Sequence, residues 1–170
     1  MGESKEYILG TNQTELERLG FQHKVWKKIT DSFFDRINIQ KGWKCLDVGA
    51  GPGFVSMELI ERVGQSGEVT ALEPSGLFLN YFKERCAEKD IKNVKSISLN
   101  LADTILDDEH DDYTSLRRAI DFVTEPENFL FNFTSYLRSG GLLALAVHHS
   151  YGFSFSPTCA SFNNLNATVI

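Results

Sequence analysis

The chain has 170 residues, a formal net charge of −6 and an isoelectric point near 5.2. Its 42% apolar and 24% charged residues suit a globular domain and exclude disordered, collagen-like and disulfide-framework chains. The length fits one domain of roughly 100–200 residues, no stretch reaches the roughly 18 uncharged apolar residues of a membrane span, and the acid excess repels phosphate backbones.

The first residues, Met1-Gly2-Glu3-Ser4-Lys5-Glu6, are charged and lack the apolar run of a signal peptide. Cys45, Cys86 and Cys159 stand far apart, with no zinc spacing and no C-x-x-C. Reduced, mostly buried thiols in the cytoplasm are expected, with no metal, no membrane and no nucleic acid as partner.

Residues 1–10 read as a loose arm. Asn12-Gln13-Thr14-Glu15 forms a capping box, with Asn12 as N-cap and Glu15 reaching back. Leu16, Leu19, His23/Trp26, Ile29, Phe33 and Ile37 then repeat at helical spacing. They predict the inward face of one long amphipathic helix, or two in series, closed by Gly42. A strand over 44–48 runs into Gly49-Ala50-Gly51-Pro52-Gly53. A helix follows over Phe54 to Val63, with Val55, Leu59, Ile60 and Val63 inward. Gly64 and Gly67 bracket a turn into a second strand, 68–73, ended by Pro74. Ser75 caps a helix carrying Leu77, Phe78, Tyr81 and Phe82, and a third strand is predicted over Asn93 to Leu99.

Residues 103–112, with His110, are acidic and read as a solvated loop. Tyr113 to Arg117 is a strand candidate, more polar than a central strand usually is. Thr124-Glu125-Pro126-Glu127 opens a helix through Phe129, Leu130, Phe133 and Leu137, with Gly140-Gly141 at its end. Of the rings Phe129, Phe131 and Phe133, core packing with one ring exposed is expected. Leu142 to Val147 has the continuous apolar character of a strand buried on both faces. Residues 151–170 contain no Asp, Glu, Lys or Arg. The alternation predicts an α/β fold with a doubly wound, mainly parallel, Rossmann-like sheet. It divides into a helical lead-in over 1–40, a ligand-binding α/β domain over 41–150 and an uncharged tail over 151–170.

A glycine-rich turn between the first strand and its helix lets backbone approach a ligand closely. Glu73, twenty residues after Gly53, stands where an acid accepts hydrogen bonds from ribose hydroxyls. Nicotinamide dinucleotides and S-adenosylmethionine both carry that ribose, and two residues discriminate between them. Phe54 occupies the position at which G-x-G-x-x-G requires its last glycine. Asp47, two residues before Gly49, would repel a pyrophosphate by roughly 1–4 kcal/mol per charge pair at about 4 Å. The same carboxylate attracts the ammonium and sulfonium of S-adenosylmethionine.

Leu46-Asp47-Val48-Gly49-Ala50-Gly51-Pro52-Gly53, followed by Ala71-Leu72-Glu73-Pro74, closely resembles the first two motifs of class I S-adenosylmethionine-dependent methyltransferases. Tyr7 to Gly10, with Glu15 to Leu19 and Gln22, resembles the N-terminal helix of bacterial small-molecule members. Arg117 through Gly141 resembles their fourth strand, the helix after it and the entry to the fifth strand. The resemblance implies that Asp47, Gly49, Gly51 and Gly53 line the methionine and ribose side, that Glu73 takes the ribose hydroxyls, and that Pro74 lies beside the adenine. Asn100 and Leu101 match the place of the family's adenine-binding Asp; this chain has Asn100 there, with Asp103 as the nearby substitute. Arg117 matches a position near the methionine end, and Gln22 covers the cofactor from the N-terminal helix.

The resemblance implies in-line methyl transfer to a small-molecule acceptor, in which the protein mainly positions the nucleophile. His148 and His149, after the fifth strand and next to Tyr151, are the candidate bases for a hydroxyl acceptor. His23 is expected to pack. The family sheet normally continues into a further helix and an antiparallel strand pair, for which the 22 residues after His148 are too few at typical lengths. That favours, as alternatives, a truncated chain or a degenerate, non-catalytic methyltransferase-like binding protein. A nicotinamide-dependent oxidoreductase is the further alternative, against which Asp47 and Phe54 argue.

Overall fold

A computed structural model describes residues 12–99, 111–117, 126–135 and 137–146. The elements run α1 (Gln13–Ile37), β1 (Lys44–Val48), α2 (Phe54–Val63), β2 (Glu68–Leu72), α3 (Gly76–Glu88), β3 (Val94–Ile97), β4 (Asp111–Arg117), α4 (Pro126–Ser135) and β5 (Leu137–Ala146). The five strands form one sheet in the order β3-β2-β1-β4-β5, and every pairing is parallel. The sheet therefore turns both ways from β1, and all carboxyl ends share one edge.

Side-chain alternation along β1 assigns the two faces. Cys45 joins a cluster with Phe34, Leu59, Ile60, Val63, Val69 and Phe82 beneath α1, α2 and α3. Leu46 and Val48 join Leu72 and Phe133 beneath α4. Of the three rings expected to give a core with one exposed, Phe133 is buried and Phe131 exposed, while the Phe129 side chain lies outside the described residues. Cys45 and Cys86 are buried free thiols, while Cys159 lies outside the described residues.

Four sequence expectations change. The inward face of α1 carries Glu15, Leu16, Thr30 and Phe34, with the expected Phe33 and Ile37 packed partly buried against the core and the Arg62 guanidinium 5.2 Å over the Phe34 ring. Trp26 and Ile29, expected inward, are exposed. At 100° per residue Ile29 falls outside the sector centred on Thr30 and Phe34, whereas Trp26, four residues before Thr30, lies at its margin. The capping box is half formed. Asn12 Oδ1 accepts from the Glu15 N–H at 2.9 Å, but the Glu15 carboxylate turns to Arg18, accepting two N–H groups at 2.6 Å. A bidentate guanidinium partner outcompetes a backbone N–H.

Asp111 and Asp112, expected in a loop, begin β4, so the polar segment pairs between β1 and β5. Leu137 and Gly140-Gly141, expected at a helix end, lie inside β5. Asp111 pairs with Leu137 but Tyr113 with Leu142, so the register slips there. Gly140, at φ 83°, takes the left-handed backbone that such an irregularity requires.

A candidate cofactor site at the glycine turn

The turn after β1 is fixed by backbone before any side chain acts. The N–H groups of Gly49 and Ala50 both donate to Leu72 O, at 2.9 and 3.0 Å, and the Gly53 N–H donates to Ala50 O at 3.0 Å. Gly49, Gly51 and Gly53 have φ of 71°, 58° and 77°, values only glycine adopts without strain. Gly51 and Gly53 then differ. A Cβ on Gly53 would lie 2.1 Å from the Phe82 ring, whereas a Cβ on Gly51 meets nothing within 4 Å. Gly53 lets α2 pack on α3; Gly51 leaves open space above the turn.

Glu73 closes the site from β2. It is 7% exposed. Its Oε2 accepts from the Gly51 N–H and its Oε1 from the Ser75 N–H, both at 2.9 Å. Burial pushes its carboxyl above the usual carboxylate range, the two N–H donors oppose that, and the charge of Asp47 adds to it. Each oxygen keeps a second lone pair, suited to a vicinal diol.

Asp47 is 1% exposed, and its Oδ2 accepts from Ser56 Oγ at 2.6 Å. The carboxylate lies beneath the turn, held by the first turn of α2, rather than open in it as the sequence suggested. Its charge acts on the site through weakly screened surroundings. Ser56 is the residue that sequence reasoning missed. The available signal was a small polar residue among the inward positions Val55, Leu59 and Ile60.

The N-terminal helix reaches the turn through Phe54. A Cβ on Gly20 would lie 3.3 Å from the Phe54 ring. The His23 ring stacks on Phe54 with centroids 5.4 Å apart, and Tyr81 meets it edge-on at 6.0 Å. His23 thus packs, as expected. It also approaches Glu58 Oε1 with Nε2 at 3.1 Å, and Lys27 Nζ approaches the same oxygen at 3.0 Å. Burial alone would raise the Glu58 carboxyl, but these partners hold it below its ordinary value. Gln22, between Gly20 and His23, is half-buried, with Oε1 accepting from Arg18 at 2.9 Å.

The expected residues are therefore brought together unevenly. Asp47, Gly49, Gly51, Gly53, Glu73 and the exposed Pro74 form one constellation. Arg117 ends β4 opposite Ala146 at the same sheet edge. Asn100, Leu101, Asp103, His110, His148, His149 and Tyr151 lie outside the described residues. The open space at Gly51 and the spare acceptors of Glu73 fit an adenosine ribose, so the residues present suit S-adenosylmethionine.

Comparison with known proteins leads to the same class. Residues 39–169 match the methyltransferase-domain family. A demethylmenaquinone methyltransferase of Staphylococcus epidermidis is 31% identical over 122 residues, which cover 72% of this chain and 48% of that protein. The solved structure of an S-adenosylmethionine-dependent methyltransferase from Aquifex aeolicus shares the fold with a TM-score of 0.66 at 21% identity, over 82% of this chain and 77% of that one. A coclaurine N-methyltransferase solved with S-adenosylhomocysteine has a TM-score of 0.67 at 21% identity, over 72% of this chain and 35% of that one. The chain belongs to the methyltransferase-domain family. It spans about half the length of curated relatives such as the staphylococcal enzyme. Family membership does not favour the oxidoreductase alternative.

Proposed function

We propose that the chain binds S-adenosylmethionine at the glycine turn and transfers its methyl group to a small-molecule acceptor. The observation that carries the reading is Glu73, a buried carboxylate at the end of β2, hydrogen-bonded to the N–H of a glycine with open space above it. The cofactor would supply an activated methyl on a sulfonium. The protein's own part is then binding, orientation and exclusion of water. Glu73 orients the ribose diol, the turn backbone admits the methionine side, and the Asp47 charge favours a cationic ligand over a pyrophosphate. His148 and His149 are proposed to hold or take a proton only where the acceptor is a hydroxyl.

The relatives named for demethylmenaquinone support a reduced quinone ring as the first acceptor to test. Such a ring carries carbon nucleophiles activated by neighbouring hydroxyls. The test is incubation of the folded chain with methyl-labelled S-adenosylmethionine and a reduced naphthoquinone. Label entering the organic extract is the expected result. A folded chain that binds the cofactor but labels neither this acceptor nor a cell extract would leave only the non-catalytic, methyltransferase-like alternative.

A further inference from the structure

The outer face of α1 is apolar and bare in a chain that is otherwise acidic. Phe21 is 69% exposed, Val25 59%, Ile29 58% and Trp26 46%. Phe21, Val25 and Ile29 recur every four residues, so they form one stripe along the helix. Lys24 and Lys28 precede Val25 and Ile29 and run along one flank of it. Both are exposed and neither carries an ion pair among the described residues. Lys27, by contrast, is engaged by Asp31 and Glu58. Between Phe21 and Ile29 there is no Asp or Glu, so the local charge is opposite in sign to the net −6 of the chain.

We propose that this face of α1 docks on an anionic lipid surface. Aromatic and branched side chains on one stripe, with lysines beside them, are the pattern of a helix lying in the membrane interface. The rings and methyl groups enter the headgroup boundary. The lysine stems lie along it and keep their ammonium groups at the phosphates. A nucleic acid would use the lysines but leave four apolar side chains in water. An antiparallel two-fold pairing of the stripe would set the lysine flanks of both copies side by side, where like charges repel. The face opposite the stripe carries Thr30 and Phe34 against the body of the protein, so docking requires no unfolding. The proposal stands independently of cofactor binding.

The experiment is co-sedimentation of the full chain with vesicles of phosphatidylcholine alone and of phosphatidylcholine mixed with phosphatidylglycerol. The expected result is binding to the mixed vesicles that weakens as salt is raised. Partitioning should fall about fivefold for each of Lys24→Gln and Lys28→Gln, and more for Phe21→Ser combined with Ile29→Ser. These side chains are exposed, so circular dichroism and cofactor titration of the variants should match the parent. Absence of binding to either vesicle by the folded chain would overturn the proposal, as would binding indifferent to all four substitutions. Sedimentation velocity showing a dimer that Phe21→Ser dissociates, without vesicle binding, would assign the stripe to a second copy and also overturn it.

Discussion

Two glutamates are almost equally buried in this molecule, Glu73 at the glycine turn and Glu58 on the outer side of α2, at 7% and 8% exposure. Their carboxyls shift in opposite directions. Glu73 is raised, first by burial and also by the charge of Asp47, with only two neutral backbone N–H groups to oppose it. Glu58 would be raised by burial too, but the hydrogen bonds of His23 and Lys27 bring it below its ordinary value. The outer cluster already holds its cations; at the turn, the described partners of the Glu73 carboxylate are neutral backbone N–H groups. The first is a clasp that fixes α1 to α2, and the second is a site that gains from a ligand bringing donors and positive charge.

The comparison breaks first at the turn. Gly53→Ala places a methyl 2.1 Å from the Phe82 ring at a backbone φ of 77°. Overpacking and left-handed strain together should cost about 3 kcal/mol or more, read as a fall in the denaturant midpoint with an unchanged slope. Gly51→Ala should cost only about 1 kcal/mol of strain, yet weaken S-adenosylmethionine binding by filling the space above the turn. Equal stability losses at the two glycines would contradict the separation of a packing glycine from a ligand-facing one.

Glu73→Gln removes charge-assisted hydrogen bonds to the diol worth about 1.5–3 kcal/mol, or roughly ten- to a hundredfold in cofactor affinity. The pH dependence has a definite sign. Because the folded carboxyl is raised, Glu73 contributes stability below the ordinary carboxylate range, and that contribution is lost as pH rises through its folded value. The cofactor-free chain should therefore lose stability there, and Glu73→Gln should abolish that loss. Glu58 gives the mirror image. Its lowered carboxyl contributes above the ordinary range, and the contribution disappears on acidification. A pH series of chemical denaturation on Glu73→Gln and Glu58→Gln checks both signs.

Smaller effects sharpen the contrast. Ser56→Ala strips the buried Asp47 carboxylate of its hydroxyl donor and should cost about 1–3 kcal/mol, because a desolvated acceptor has no water to turn to. Lys27→Gln acts on a half-exposed ion pair and should cost about 0.2–1 kcal/mol, a difference measurable in the same denaturation series.

The turn and its flanking elements were legible because their determinants are local. Strand, three glycines, helix and spaced acid are all carried within 44–73, and α2 and β2 lie where hydrophobic spacing puts them. The β4–β5 region was harder to read. Asp111 and Asp112 read as solvent-facing by composition, and only pairing with β5 makes them strand. Gly140-Gly141 carries the same signal for a helix end as for a strand irregularity. Hydrophobic spacing places Leu16, Phe33 and Ile37 of α1 against the body, but Trp26 and Ile29 are as apolar as Phe34, and only docking on α2 through Arg62 and Phe34 decides which of them is covered. Ser56 shows in the sequence only as a small polar residue among inward positions; its role depends on a carboxylate nine residues earlier.

The most direct measurement is a calorimetric titration of S-adenosylmethionine, and separately S-adenosylhomocysteine, into the chain and its Glu73→Gln variant. Saturable one-site heat for the parent, weakened at least tenfold by the substitution while the fold is retained, is the result this structure predicts. A folded parent chain that gives no heat with either ligand, or a variant that binds both as tightly as the parent, would contradict it.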